Sequence, residues 1–206
     1  MTIWAGRPGE LRVPASSGCW LLSAKGASVR CSRSRRRVSP AMAATGLMSD
    51  AAVTVNPSIC HPKTSGTVRL RSPRPEDPPV INYCLLGEPD DVVALAKVCR
   101  NTRAIFATAT MRPYVLSERL PGKHVQNVSD WAAYLRSSAF RAEHPVGTCR
   151  MGNGNGAVVD ERSRVRGIDG LRVIDASVIP ALPSGNTTAP TIMVAESGAD
   201  FVRETR

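Results

Sequence analysis

The chain has 206 residues, with 27 lysines and arginines against 17 aspartates and glutamates, for a formal charge of +10. At 42% apolar residues it can bury a core, as one domain or two small ones, and it is not globally disordered. No run of about 18 apolar residues occurs, so the sequence holds no membrane-spanning helix, and 4% aromatic residues argues against nucleic-acid binding built on base stacking.

The charge is unevenly spread. Residues 1–45 carry Arg7, Arg12, Lys25, Arg30, Arg33, Arg35, Arg36 and Arg37 against Glu10 alone, so the remaining chain is close to neutral. A near-neutral body behind a basic segment is not the signature of a nucleic-acid-binding domain. Residues 1–45 show no sustained period and read as an unstructured basic extension. Their Arg- and Ser-rich, acid-poor composition also fits a transit peptide. The chain is therefore expected in the cytoplasm, or in mitochondria if residues 1–45 are a transit peptide. The six cysteines (Cys19, Cys31, Cys60, Cys84, Cys99, Cys149) form no CxxC pair and no zinc spacing, which reads as scattered reduced thiols.

Ordered structure is expected from about Gly46. Val53 and Val55 alternate with Thr54 and Asn56 as in a strand, and Pro57 places that strand at an edge or a bulge. The turn cluster His61–Gly66 then leads into a second strand over Thr67–Ser72, which predicts a hairpin between the two. Pro73–Pro79 breaks the pattern, and Val80–Leu86 is another short strand. From Pro89 the period becomes helical: Val92, Leu95, Ala96, Cys99 and Phe106 share a side, and Asp90 and Asp91 suit the positive end of the helix dipole. This predicts a helix over about Asp90–Thr108. A second helix is expected over Asp130–Ser138 with Ser129 as its N-cap. Leu171–Ile174 reads as a strand after the turn Gly167–Gly170, and a last helix is expected over Pro190–Val202.

Two segments combine turn and capping residues with apolar neighbours, which is how a rigid frame presents polar groups to a ligand. One is His144-Pro145-Val146-Gly147-Thr148-Cys149-Arg150-Met151-Gly152, and the other runs from Leu171 to Pro190. An imidazole titrates near neutral pH, so His144 has the chemistry of a general base; taken alone, a histidine before proline in a loop is more often structural or exposed. Asn186 either caps the last helix or reaches a substrate oxygen. Asp175 either forms an Asx turn or binds a hydroxyl. The start of the last helix offers free N–H donors to an electron-rich ligand. Gly152-Asn153-Gly154-Asn155-Gly156-Ala157 matches the GxGxxG/A dinucleotide pattern only formally, because no strand precedes it and no helix follows.

Together these segments, with Pro62–Ser72 and Val158-Val159-Asp160, resemble the C-terminal part of the glucose–methanol–choline (GMC) oxidoreductases, in particular the choline-dehydrogenase-like members. These are FAD enzymes that oxidise alcohols. The resemblance runs from about Gly46 to Arg206 and makes His144 the base at the flavin and Asn186 the second catalytic residue. It further implies that Asp175 and Ala176 contact the ribityl and pyrophosphate region of FAD, and that Thr187 and Thr188 lie near the flavin's pyrimidine edge. The implied fold is α+β: residues 46–145 form part of an antiparallel-sheet substrate domain with flanking helices, and residues 146–206 supply the C-terminal strand and helix of an FAD-binding domain. The family's opening strand–GxGxxG–helix unit has no counterpart here. The chain is therefore expected to be the C-terminal region of an FAD-dependent alcohol oxidoreductase lacking its N-terminal FAD-binding portion, inactive by itself, with a small alcohol as substrate and apolar surface left exposed. The alternative is a truncated, non-catalytic fragment unable to hold FAD. Glu143 departs from the family pattern, its carboxylate either facing His144 or pointing away.

Overall fold

The computed structural model describes residues 2–5, 19–23, 27–34 and 52–204, and these divide between two compact units. The first draws on the chain up to Thr64 and on Leu85–Phe140. The second draws on Ser65–Cys84 and on the chain from Arg141. The units do not follow the expected boundary at residue 145, because residues 65–84 group with the C-terminal segment.

The first unit is an open, five-stranded antiparallel sheet with helices against it. Its strands are β1 (Thr2–Ala5), β2 (Cys19–Ser23), β3 (Ala27–Ser34), β4 (Ala52–Ile59) and a later strand at Val115–Leu120, in the order β2-β3-β4-β1 followed by the later strand. Three of these strands lie within residues 1–45. The expected unstructured extension is thus corrected at those three places, and the remainder of that segment, including Arg35–Arg37, lies outside the described residues. The physical reason is visible at β3: Val29 and Cys31 alternate with Ser28, Arg30 and Ser32, a period of two that the basic composition hides.

Pro57 lies inside β4, which is not an edge strand. β3 pairs with β4 along all of Ala52–Ile59, whereas β1 reaches only Ala52–Thr54. Among the described strands, β1 does not reach Pro57, which is where a residue without an N–H is tolerated in a sheet. The expected hairpin across His61–Gly66 does not form. The strand β5 (Thr67–Arg69) pairs instead with β6 (Val80–Asn82), across the Pro73–Pro79 segment. The later strand of the first sheet, β7 (Val115–Leu120), completes the set.

Helix α1 (Pro89–Phe106) packs on β4 and on α2 (Val128–Ser138). Its buried stripe of Val92, Ala96 and Cys99 meets Leu86, Val125, Trp131 and Leu135 in one apolar core. Burial pushes the Cys99 thiol up to about 11, so it behaves as an inert core group. Cys60, Cys84, Cys99 and Cys149 are all free. The N-cap of α2 is Asn127, not Ser129: its side chain accepts from the Asp130 N–H at 2.9 Å, and Asp130 returns the bond in a capping box.

Asp91 does more than complement the α1 dipole. It is buried, and its two carboxylate oxygens accept the Lys63 and Thr64 backbone N–H groups, each at 2.8 Å. Burial acts to raise its pKa, but the bonds from Thr64 and Lys63 outweigh this and hold it below the ordinary aspartate value. The sign follows from linkage. A carboxyl whose pKa is depressed by folding contributes its full stabilisation above the unfolded value and loses it as pH falls through the folded value. Asp91→Ala should therefore destabilise the chain by about 1–3 kcal/mol at neutral pH. It should also flatten the acid side of the stability profile, as measured by denaturant unfolding at a series of pH values.

Candidate active site

The site lies entirely within the second unit. Its base is a short stretch in which Cys149 N–H donates to the Ser177 carbonyl at 3.0 Å and Met151 N–H to the Val178 carbonyl at 2.8 Å. Val159 and Val178 are fully buried beneath it. These bonds fix the His144 segment against the Asp175 segment. Asp175 accepts the Ser177 N–H at 2.7 Å and starts a short 3-10 helix, Ala176–Val178, so its side chain is engaged locally as an Asx turn. Leu171–Ile174 is not an extended strand. It meets residues 163–165 through Val165 N–H to the Leu171 carbonyl, Val173 N–H to the Ser163 carbonyl and a single bridge at Arg164 and Arg172. The turn between them has positive φ at Gly167 and Gly170.

The last helix, α3 (Thr188–Arg203), begins two residues before the expected Pro190. It lies so close to the Asp175 segment that a Cβ on Gly198 would sit 2.3 Å from Ile174 Cγ2. Glycine is disfavoured inside a helix, and here the close approach requires it. The Gly152–Ala157 segment is a run of turns with no helix after it. Its carbonyls are held by Arg150 Nε to Gly156 at 2.8 Å and Arg166 Nη2 to Gly152 at 2.6 Å, which agrees with its rejection as a dinucleotide loop.

His144 sits between two left-handed residues, Glu143 (φ 58°) and Gly147 (φ 86°), which turn the chain into and out of the His-Pro-Val segment. Glu143 points away from the imidazole: its carboxylate takes the Arg141 Nε at 2.8 Å, and the Arg141 guanidinium lies 4.5 Å above the Tyr83 ring. The imidazole itself meets the start of α3. Nε2 lies 3.0 Å from Asn186 Oδ1, and Nδ1 lies 3.1 Å from Thr187 Oγ1. Asn186 is therefore not a helix cap. Thr187 holds the N-cap position, and no side chain caps α3. With Pro190 lacking an N–H, the donors of Thr188 and Ala189 stand uncapped at the helix start.

The structure thus brings His144 together with Asn186 and Thr187 across more than forty residues of sequence; Thr188 follows as the first residue of α3, and Asp175 and Ala176 lie at the start of the 3-10 helix. His61 and His124 belong to the other unit. The engagement of His144 by Thr187 was invisible in the sequence, where only the cap-type residue before the helix hints at it. Among the described residues, no cluster of three or more metal-ligating side chains occurs, and no helix is long and apolar enough to cross a membrane. The β5–β6 hairpin is exposed on both faces, leaving Val68, Leu70, Val80, Ile81 and Tyr83 in solvent, as expected of a chain with uncovered apolar surface.

Comparison with known proteins places this arrangement in a class of oxidoreductases. A family model described as GMC oxidoreductase matches residues 62–195. The chain belongs to the GMC oxidoreductase family. It is 41% identical over 146 residues to "Alcohol dehydrogenase [acceptor]" of Pseudomonas putida, which covers 70% of this chain and 26% of that protein. It is also 41% identical over 140 residues to mitochondrial choline dehydrogenase of Homo sapiens, covering 67% of this chain and 24% of that protein. Among solved structures it is similar to pyridoxine 4-oxidase from Mesorbium loti, with a TM-score of 0.74, 27% identity, and coverage of 86% of this chain and 34% of that one. A fungal aryl-alcohol oxidase gives a TM-score of 0.68 and 31% identity, over 77% of this chain and 26% of that one. The chain thus spans about a quarter of the length of the curated relatives it matches.

Proposed function

We propose that this chain is the substrate-facing and C-terminal part of an FAD-dependent oxidoreductase acting on a small alcohol. The observation that carries the reading is the His144–Asn186 pair, held 3.0 Å apart at a helix start. An alcohol oxygen that displaces this mutual bond reaches both side chains. In the tautomer with its ring proton on Nδ1, His144 takes the hydroxyl proton at Nε2, and Asn186 holds the oxygen in place, so the reacting carbon is oriented without a search. FAD, when bound, supplies the acceptor for the hydride leaving that carbon.

The residues present fit such a group. The uncapped N–H donors of Thr188 and Ala189 and the positive end of α3 suit an electron-rich ring edge. Ala176 and the exposed side of Asp175 are assigned to the ribityl and pyrophosphate region. Residues 146–206 would then complete an FAD domain whose main cradle lies outside these residues. The competing reading is a non-catalytic chain with inherited site residues.

Two preparations separate these readings. The chain alone, purified with FAD, is expected to show little or no bound-flavin absorbance or dye reduction by alcohols. A chimera that places residues 62–206 behind the N-terminal portion of the Pseudomonas putida relative is expected to bind flavin and reduce the dye. A flavin-loaded chimera that oxidises no alcohol would leave the non-catalytic reading standing.

A further inference from the structure

We infer that Thr187 is a positioning residue for His144, a helix-cap side chain diverted from its helix to hold the imidazole in every protonation state. The inference rests on the reading of His144 as the proton acceptor.

Threonine is a favoured N-cap because its hydroxyl can accept an N–H of the first turn. Thr187 occupies the N-cap position of α3, yet its side chain makes no capping bond. The hydroxyl is aimed instead at His144 Nδ1, 3.1 Å away. Only 8% of the residue is exposed, so water cannot readily replace that contact. Its backbone is pinned as well: the Thr187 carbonyl accepts the Thr191 N–H at 2.9 Å and the Thr191 hydroxyl at 2.7 Å. The preceding residue, Asn186, meets the opposite ring nitrogen. Two consecutive residues therefore clamp the two nitrogens of one ring, and the left-handed turns at Glu143 and Gly147 fix the other end of the side chain.

A hydroxyl suits this position better than a fixed donor or acceptor would. A neutral imidazole has one donor and one acceptor nitrogen, and an imidazolium has two donors. With Oδ1 of Asn186 facing Nε2, the resting ring carries its proton on Nε2, and the Thr187 hydroxyl donates to Nδ1. When Nδ1 bears a proton, the same hydroxyl turns and accepts it. The ring thus keeps its plane in either tautomer: when an alcohol oxygen replaces the Asn186 contact, the ring proton, exchanged from Nε2 through solvent, sits on Nδ1 against the Thr187 hydroxyl, and the bare Nε2 takes the alcohol proton.

The test uses the full chain without flavin, labelled with 15N-histidine, at a pH where imidazole is neutral. His144 signals are assigned by their loss in His144→Phe. In the unsubstituted chain and in Thr187→Ser, the His144 Nδ1 resonance is expected at a hydrogen-bonded position. In Thr187→Val it should move to the unbonded position, while His61 and His124 stay unchanged. Denaturant unfolding adds a double-mutant cycle. Thr187→Val should shift the folding equilibrium roughly fivefold, the change one neutral hydrogen bond supports, and this cost should nearly vanish in the His144→Phe background. If the valine chain does not fold, Thr187→Ala is read in the same way. An unmoved Nδ1 signal, or an equal cost in both backgrounds as a helix cap would give, overturns the inference and leaves the proposed function intact. A chimera that fails to oxidise alcohols removes the proposed function and leaves the clamp standing.

Discussion

Replacing His144 by Gln in the flavin-loaded chimera is expected to cut dye reduction by alcohols about 10²–10⁴-fold, the span that a positioned general base contributes. Flavin absorbance should be retained. The expectation follows from where the side chain is held. The path through His144-Pro145-Val146 is set by Glu143 and Gly147 and by the bonds from Cys149 and Met151 to the 177–178 segment, none of which uses the imidazole. A glutamine therefore preserves the fold and a polar contact toward Asn186, and removes the group that takes the proton. Asn186→Ala should cost less, because it removes a hydrogen bond to the alcohol oxygen and leaves the base in place. The measurement is initial dye-reduction rate against alcohol concentration, with flavin content checked by absorbance. A rate within tenfold of the unsubstituted chimera would exclude His144 as the base.

The helices were the most legible part of this sequence, and the site pair came next. Val92, Ala96 and Cys99 announce the buried face of α1 through their spacing, and all three enter the core. The end of α2 at Ser138 and the position of α3 were likewise set by local signals. Pairing between strands was not legible, because a strand's partner is chosen by turns and neighbours that its own residues do not encode. Thr67–Arg69 therefore found Val80–Asn82 across a proline-rich segment and did not pair with the strand before it. Val115–Leu120 was missed because Glu118 and Arg119 interrupt its apolar pattern, and Glu118 proves to be engaged by another element. Within residues 1–45, abundant arginine concealed a two-residue period. At the site, the segments carrying His144 and Asn186 stood out as ligand-presenting turns. Asn186 read by itself left a cap and a substrate contact both open, and the cap position went to its neighbour.

That engaged glutamate carries the largest expected stability effect. Glu118 on β7 meets Arg103 on α1 through two parallel bonds, Nε to Oε2 at 2.8 Å and Nη2 to Oε1 at 2.7 Å. The same guanidinium donates to the Val125 carbonyl at 2.8 Å and the Gly122 carbonyl at 3.3 Å, and lies 4.8 Å from the ring centre of Trp131 on α2. One side chain thus ties a strand, two helices and the connecting loop. The two side chains are 23% and 10% exposed, so each charge depends on the other for most of what water would have provided. Removing either partner strands the other. Arg103→Ala is expected to destabilise the chain by about 3–5 kcal/mol, and Glu118→Ala by somewhat less, since Arg103 keeps its two carbonyl partners and some solvent. The double change Arg103→Met with Glu118→Leu removes both charges and fills the space with apolar atoms, so it should recover much of the loss. Helical circular dichroism through a urea titration reads all three variants. Equal costs for the single and double changes would mean that the carbonyl and ring contacts of Arg103, and not its pairing with Glu118, hold these elements together.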